Sequence, residues 1–469
     1  MADVLLTHSN HLFFDPKQVK KMQPYPPLQT IIAAELLRRH GYSVALFDAT
    51  FDEPAAGFAN ALKRHQPAMV VVAEDNFNFL TKMCLLRNRE VAFGYAESAR
   101  AVGIPIVVNG SDSTDRAEEY LRQGFDYVIA GELEESLLEL CATGCRDGRR
   151  LPGLRWLDTN GALRQGPIRR PMPDLSAIPA AAWDLVEIAD YRKAWIGAHG
   201  HFSLNLVSSR GCPFRCNWCA KPVYGGTYRF HPAHDVAREM LRLKRDYQPD
   251  LIWFADDIFS LSRQWTAEFA DEVERLDARV PFKMQSRCDL MTHDTVRDLR
   301  RAGCAEVWMG AESGSQRILD AMDKEIAVEE IRRACDNLRD NGIRACLFLQ
   351  FGYPGEMWTD IVETIAMVRT ARPGDIGVSV SYPLPNTRLY DMVRAQQTGK
   401  TNWNDSGDLD VMFQGTYTAP FYRALADALH LEVRSGAASA AEAWRKVAQL
   451  EPLSRNRTSL PVLVRAGAA

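Results

Sequence analysis

The 469-residue chain is predicted to be an α/β protein in three parts: a doubly wound, Rossmann-like amino-terminal domain, a partial (βα)6 barrel and a small helical carboxyl-terminal cap. Two series of short apolar runs alternating with amphipathic segments carry this reading, because strands covered by helices on both faces lose the apolar/polar alternation of half-exposed ones. A proline-rich stretch, Pro167 to Pro179, separates the two series.

In the first series the strands are Val4 to Thr7, Ser43 to Phe47, Met69 to Ala73, Ile104 to Val108 and Tyr127 to Ala130, with helices such as Leu28 to His40 and Thr114 to Gln123 between them. Residues 1–145 form this domain, and its ligands are expected at the carboxyl ends of the strands. Residues 146–195 read as a hairpin, turning at Asp158-Thr159-Asn160-Gly161, followed by a semi-rigid linker. The barrel, 196–398, takes strands near Ser203 to Ser208, Leu251 to Ala255, Phe282 to Gln285, Glu306 to Met309, Ala345 to Phe351 and Gly377 to Ser381. Chemistry in such barrels gathers on the loops after the strands. Residues 399–469 form the cap, with helices from Phe421 to Glu432 and Ala440 to Leu450 and a connection in the small-residue segment Ser435 to Ala443.

A net charge of -4 supplies no global basic field and argues against nucleic acid as the main partner. The first residues lack a basic n-region and a long apolar h-region, and no run of eighteen apolar residues occurs, so a cytoplasmic protein without a transmembrane segment is expected. Of the 10 cysteines, only Cys212, Cys216 and Cys219 are clustered like ligands. Cys141 and Cys145 stand at a helical i,i+4 spacing, but two thiols make a weak metal site.

The cluster lies in Ser209-Arg210-Gly211-Cys212-Pro213-Phe214-Arg215-Cys216-Asn217-Trp218-Cys219, after the first strand of the barrel series. Clusters that only pass electrons usually take four cysteines. Three thiolates therefore suggest a cluster with one iron open to a reactant. The competing reading is a non-catalytic, redox-sensing protein that holds an iron-sulfur cluster or a zinc site completed by His231 or His234, although structural zinc sites usually draw cysteine pairs from two places.

The CxxxCxxC motif, with Trp218 before its last cysteine, resembles the radical S-adenosylmethionine (SAM) superfamily. That resemblance implies that Cys212, Cys216 and Cys219 hold a [4Fe-4S] cluster whose open iron chelates SAM, and that an electron donor such as flavodoxin or ferredoxin reduces it. Other segments agree. Gly310-Ala311-Glu312-Ser313-Gly314-Ser315 resembles the segment contacting the ribose and methionine of SAM, with Glu312 and Ser313 as its polar members. Gly352-Tyr353-Pro354-Gly355-Glu356 resembles the GxPGE turn near the adenine, where Gly352 and Gly355 would let backbone approach a flat ring. Arg287 is placed to pair with the SAM carboxylate. Capping, turn formation and structural ion pairing are the plainer readings of the same residues, and Asp256 and Asp257 after the second barrel strand are open to both.

A doubly wound domain joined to a radical SAM barrel resembles the cobalamin-binding subclass. Asn109, Gly110 and Ser111 correspond to its segment near the nucleotide tail, and Gly131 and Glu132 open a GEGE-like turn. No DxHxxG follows the first strand, and His8 and His11 are out of pattern, so a protein imidazole below cobalt is not expected. Pro24 to Leu28, Ser381 to Thr387, Asn402-Trp403 and Met412 to Tyr417 are similar to the anaerobic magnesium-protoporphyrin monomethyl ester cyclase group. There Asn386 replaces the usual glycine of a PGT turn, and asparagine tolerates the left-handed backbone. The resemblance implies modification of an unactivated carbon by methyl transfer or oxidative cyclisation. A small or apolar substrate is expected, and Trp253, Trp308, Trp403 and Tyr417 hint at a bulky or apolar partner, although aromatics more often pack. No catalytic acid or base is singled out.

Overall fold

The computed structural model describes residues 2–144 and 148–456. Cys145, half of the second thiol pair, lies outside them. The chain divides into two compact units, one built from residues up to Cys212 with Lys221–Ala255 and Asn402–Asp408, the other from Pro213–Ala220, Asp256–Thr401 and the chain from Leu409 on. These boundaries do not follow the divisions expected at 145, 195 and 398.

In the first unit, strands β1 (Val4–Thr7), β2 (Val44–Phe47), β3 (Met69–Ala73), β4 (Ile106–Asn109), β5 (Tyr127–Ile129), β6 (Leu154–Leu157) and β7 (Leu163–Gln165) form one sheet in the order β2-β1-β3-β4-β5-β6-β7. The first five are parallel, and the direction of winding reverses between β1 and β3, as a doubly wound sheet requires. Side-chain alternation explains why both faces are covered. Leu5, Val70, Val72, Ile106, Val108 and Val128 belong to one core, and their neighbours Val4, Leu6, Met69, Val71, Val107 and Ile129 to another. Each such side chain contributes about 1.5–3 kcal/mol when fully buried.

The expected hairpin forms, but β6 pairs antiparallel to β5 and so extends this sheet rather than belonging to a linker. The helix expected from Thr114 to Gln123 is broken at Arg116 into Ser111–Asp115 and Ala117–Arg122, with Arg116 near φ -119°, ψ 36°. The proline-rich stretch is pinned rather than loose: Leu175 and Ile178 are buried, the Pro167 carbonyl accepts from the Gly153 N–H at 2.8 Å, and the Met172 N–H donates to Glu132 at 2.8 Å. Strands β8 (Ser203–Leu206) and β11 (Leu251–Phe254) pair in parallel, and β9 (Ser209–Arg210) and β10 (Arg229–Phe230) make a short antiparallel ribbon.

In the second unit, β12 (Phe282–Ser286), β13 (Cys304–Glu312), β14 (Arg344–Phe351) and β15 (Asp375–Val380) pair in parallel, alternating with helices as expected. Strand β13 runs three residues further than predicted. Its register shifts between Gly310 and Glu312, which puts Glu312 at the strand end with φ 60°. The carboxyl-terminal helices are Ala419–Ser435 and Ala437–Ser454, joined at Gly436 alone. Ser435 to Ala443 is therefore mostly helix rather than a connection, because its alanines favour the helix that small size alone does not reveal.

Candidate functional site

The cysteine loop is anchored at both ends of its motif. Gly211, at φ 78°, passes so close to the carbonyls of Thr227 and Tyr224 that a Cβ would stand 2.3 and 2.9 Å from them. Lys221 Nζ donates to the Cys212 carbonyl at 2.8 Å. Within the second unit, the Asn217 side chain donates to the Ala321 carbonyl at 2.6 Å and the Tyr353 hydroxyl at 2.9 Å, while its N–H donates to Met322 at 3.0 Å. Asn217 is a positioning residue that sequence reasoning missed. A polar residue between Cys216 and Trp218 carries no distance information until the loop is folded.

The donor chemistry separates these three cysteines from the rest. Cys212 and Cys216 are half-buried and Cys219 is exposed, whereas the six other described cysteines are buried. Burial pushes the Cys141 and Cys335 thiols up to about 12, which disfavours the thiolate a metal needs. Among the described residues, no three His, Cys, Asp or Glu side chains meet at one point that could hold a single metal ion. Each iron of a four-iron cluster takes its own cysteine, so a cluster does not ask its ligands to meet there. Of the histidines of the zinc reading, His234 is half-exposed and stands 3.0 Å from Asp235, and burial, aided by Arg210, lowers His231 to about 4, which keeps its imidazole neutral.

Arg287 does not present its guanidinium to a ligand. It stacks on Phe214, within the cysteine loop, 3.6 Å from the ring centroid. It donates to both Asp289 carboxylate oxygens (2.9 and 3.2 Å) and to the carbonyls of Lys324 (3.0 Å) and Glu325 (3.1 Å). Four of its five N–H groups are thus used, and the expected pairing with a SAM carboxylate gives way to a clamp on the loop. Glu312 meets Lys324 at 2.7 Å, both almost fully buried. Burial alone would lower the Lys324 ammonium, but the Glu312 carboxylate outweighs it and the net shift is upward. A Cβ at Gly310 would stand 2.5 Å from Glu312 Oε1 and 2.6 Å from Lys324 Nζ, so a side chain there would displace the ends of this pair. Lys324 had no sequence signal, because an isolated lysine usually reads as surface.

Ser313 is wholly buried in its turn, sharing a 3.1 Å hydrogen bond with Thr364 Oγ1 and accepting from the Ser315 N–H at 3.1 Å. Gly352 (φ 74°) and Gly355 (φ 79°) both need the left-handed region. Glu356, fully buried, accepts from the Gly352 N–H at 2.6 Å, and burial pushes its carboxyl up to about 8. Its other oxygen, the Tyr422 hydroxyl and the Trp218 indole N–H have no hydrogen-bond partner among the described residues. Buried polar groups normally find partners, so these atoms mark where a ligand or water completes the site. Asp256 is buried and Asp257 exposed.

At the strand-end edge of the first sheet, Asn109 donates to the carbonyls of Ile129 (2.9 Å) and Gly131 (2.8 Å) and accepts from Asn76 at 3.1 Å. Gly110 passes Glu74 so closely that a Cβ would stand 2.9 Å from its Cγ. The Ser111 N–H donates to Asn76 Oδ1 at 3.2 Å. Gly131 adopts φ 81°, and Glu132 accepts from the Met172 N–H at 2.8 Å and lies 2.5 Å from Arg229, an ion pair outside hydrogen-bonding angles. Burial raises Asp75, on the same edge, to about 6. His8 has both ring nitrogens engaged, by Asp48 at 2.9 Å and the Asn10 N–H at 3.2 Å, and His11 Nδ1 meets the Ala49 carbonyl at 2.9 Å. Elsewhere in this unit, a cavity of about 400 Å³ has an apolar floor including Leu28, Ile178 and Val236 and a rim carrying Arg39, Arg238 and Arg242. Of the candidate ligands, His231 lines it and the three loop cysteines do not.

Comparison with known proteins agrees with this geometry. The radical SAM superfamily matches residues 206–368, which include all three loop cysteines. An uncharacterized methyltransferase of Pyrococcus horikoshii is 24% identical over 82% of this chain and 82% of its own. The anaerobic magnesium-protoporphyrin IX monomethyl ester cyclase of Rubrivivax gelatinosus is 26% identical over 61% of this chain, which spans only about half (53%) of that relative. Among solved structures, the radical SAM methyltransferase TsrM from Kitasatospora setae, determined with cobalamin and a [4Fe-4S] cluster bound, superposes with a TM-score of 0.69 at 19% identity, covering 84% of this chain and 75% of TsrM. No helix among the described residues is long and apolar enough to cross a membrane.

Proposed function

We propose, from the premise that this chain belongs to the radical SAM superfamily and has the fold of its cobalamin-dependent members, that it methylates an unactivated carbon of a small or apolar substrate. The observation that carries the reading is the cysteine loop: three accessible thiols on a backbone fixed by Gly211, Asn217 and Arg287, in a chain that also holds a doubly wound sheet. When bound, the cluster and SAM supply a 5'-deoxyadenosyl radical and the corrinoid supplies the methyl group, chemistry beyond any side-chain acid or base.

The residues do the holding. Cys212, Cys216 and Cys219 would ligate three irons, and Arg287, stacked on Phe214, holds the loop that carries them. Glu312 is oriented by Lys324 and keeps lone pairs for the SAM ribose, while Ser313, Gly352 and Gly355 shape the turns that receive the nucleoside. The Trp218 ring packs against the hydrophobic cluster that contains Ile318, Met322 and Tyr353 and keeps its N–H for the ligand or water that completes the site. On the first sheet, Gly110, Ser111 and Gly131 would face the corrinoid, with Asn109 and Glu132 holding their turns from behind. A flavodoxin or ferredoxin would deliver the electron, and a reducing compartment such as the cytoplasm keeps the three thiols available.

Oxidative cyclisation is the second reading, favoured by the likeness to the Rubrivivax cyclase. Products separate the two under anaerobic turnover with a reductant. Methyl transfer gives S-adenosylhomocysteine together with 5'-deoxyadenosine; 5'-deoxyadenosine alone points to cyclisation. A reconstituted protein that binds zinc without sulfide and leaves SAM intact overturns both and restores the redox-sensing reading.

A further inference from the structure

In the β9–β10 ribbon, Arg210 and Arg229 are directly opposite cross-strand partners. Like charges so placed repel. Both are nevertheless buried, and each is met by a buried glutamate: Arg210 by Glu134 at 2.6 Å, Arg229 by Glu132 at 2.5 Å. The two glutamates stand at alternate positions of the turn that follows β5 and opens the helix Glu134–Ala142. Two side-by-side ion pairs thus bolt the ribbon to the strand-end edge of the first sheet. Arg210 is further held between the rings of Phe77 (5.6 Å) and Tyr224 (5.1 Å), and Gln29 donates to Glu134 at 3.0 Å. Arg229 donates to the carbonyls of Tyr224 (3.0 Å) and Met172 (2.8 Å).

Only Gly211 separates Arg210 from Cys212, and Gly211 has no freedom, being packed against the Thr227 carbonyl. The path from Glu134 to the first cysteine of the motif is therefore short and rigid. Four desolvated charges are a poor way to stabilise a fold, since apolar residues of similar volume often do as well or better. Their use is geometric.

We propose that Arg210–Glu134 and Arg229–Glu132 form a latch of positioning residues that fixes Cys212, and with it one corner of the cluster, to the ligand edge of the first sheet. The proposal rests on the reading of Cys212 as a cluster ligand. It is tested on the full chain, reconstituted anaerobically with iron and sulfide, by comparing wild type with Arg210→Met/Glu134→Leu, an uncharged pair expected to fold. The variant should assemble the cluster but lose iron to a chelator about 10-fold faster, the low end of the affinity that a metal site loses with a direct outer partner, because Arg210 acts on Cys212 through the backbone. Its dithionite-reduced cluster should also give a broadened electron paramagnetic resonance (EPR) spectrum. Arg210→Lys, which keeps the charge but loses the fork, should fall between the two and serves alone should the double variant not fold. A folded variant with wild-type iron release and spectrum overturns the latch and leaves the function standing. A wild-type chain that takes up no cluster overturns the function, and the latch with it.

Discussion

The strand-end edge of the first sheet and the strand ends of the second unit differ in how their buried polar groups are met. On the first sheet, Asn109 is hydrogen-bonded through both side-chain atoms and His8 has both ring nitrogens occupied, while Glu132 Oε1, Glu134 Oε2 and Arg210 Nε and Nη1, which lack hydrogen-bond partners among the described residues, belong to side chains held in ion pairs. In the second unit, Glu356 Oε1, the Tyr422 hydroxyl and the Trp218 N–H remain without partners among the described residues. The first edge, its buried charges held in ion pairs, is thus expected to act as a scaffold that receives a ligand on backbone and small residues. The second presents side chains that a ligand completes. The cysteine loop should therefore be the most vulnerable point, with no neighbouring group able to substitute. Cys216→Ala is expected to abolish [4Fe-4S] assembly and reductive SAM cleavage, read as iron and sulfide content and 5'-deoxyadenosine yield. Cleavage surviving at the wild-type rate would remove the cluster from the mechanism.

The next largest effect tests whether charge in the second unit is structural. Lys324→Met leaves the buried Glu312 carboxylate unpaired, at a cost of about 3–5 kcal/mol in chemical denaturation. Lys324→Met/Glu312→Leu should recover most of that stability and still fail to hold SAM in equilibrium binding. A double variant that binds SAM normally would show that the pair serves the fold alone, making the second unit resemble the first.

Glu356 gives the comparison a pH signature. Its carboxyl is raised from near 4.5 to about 8 by burial, so the folded state holds a proton that the unfolded chain has released. The stability this contributes is fully present below about 4.5 and is lost as pH rises through about 8, amounting to a few kcal/mol by linkage. Thermal midpoints should fall between pH 5 and 8.5, and Glu356→Gln, neutral throughout, should flatten the profile. A wild-type midpoint independent of pH in that window would mean that a neighbour compensates the carboxylate.

The same contrast governs what the sequence could reveal. Apolar runs gave β1 and β3 to the residue, because strands buried on both faces need nothing but apolar side chains. Thiol spacing marked the cluster loop, because residue type there dictates chemistry. Asn386 does adopt φ 60°, as its replacement of glycine implied. What stayed hidden depends on partners distant in sequence. Arg287 was expected at a carboxylate of SAM and instead clamps Phe214, and Lys324 and Asn217 gain meaning only once the chain closes on itself. The β6–β7 hairpin was legible as a hairpin, but its docking on β5 was not, since an edge strand carries the same pattern wherever it pairs.

The smallest expected effect bears most directly on the scaffold reading of the first edge. Asn109→Ala removes hydrogen bonds to the Ile129 and Gly131 carbonyls, and leaving buried groups unpaired costs about 1–3 kcal/mol. If the edge is scaffold, that loss appears as lower stability, and corrinoid uptake followed by visible absorbance falls only because the Gly131 turn is no longer held. Restoring the folded fraction at lower temperature should then restore uptake. If instead uptake is lost while the denaturation midpoint is unchanged, Asn109 touches the ligand directly, and the first edge works by side-chain recognition as the second does.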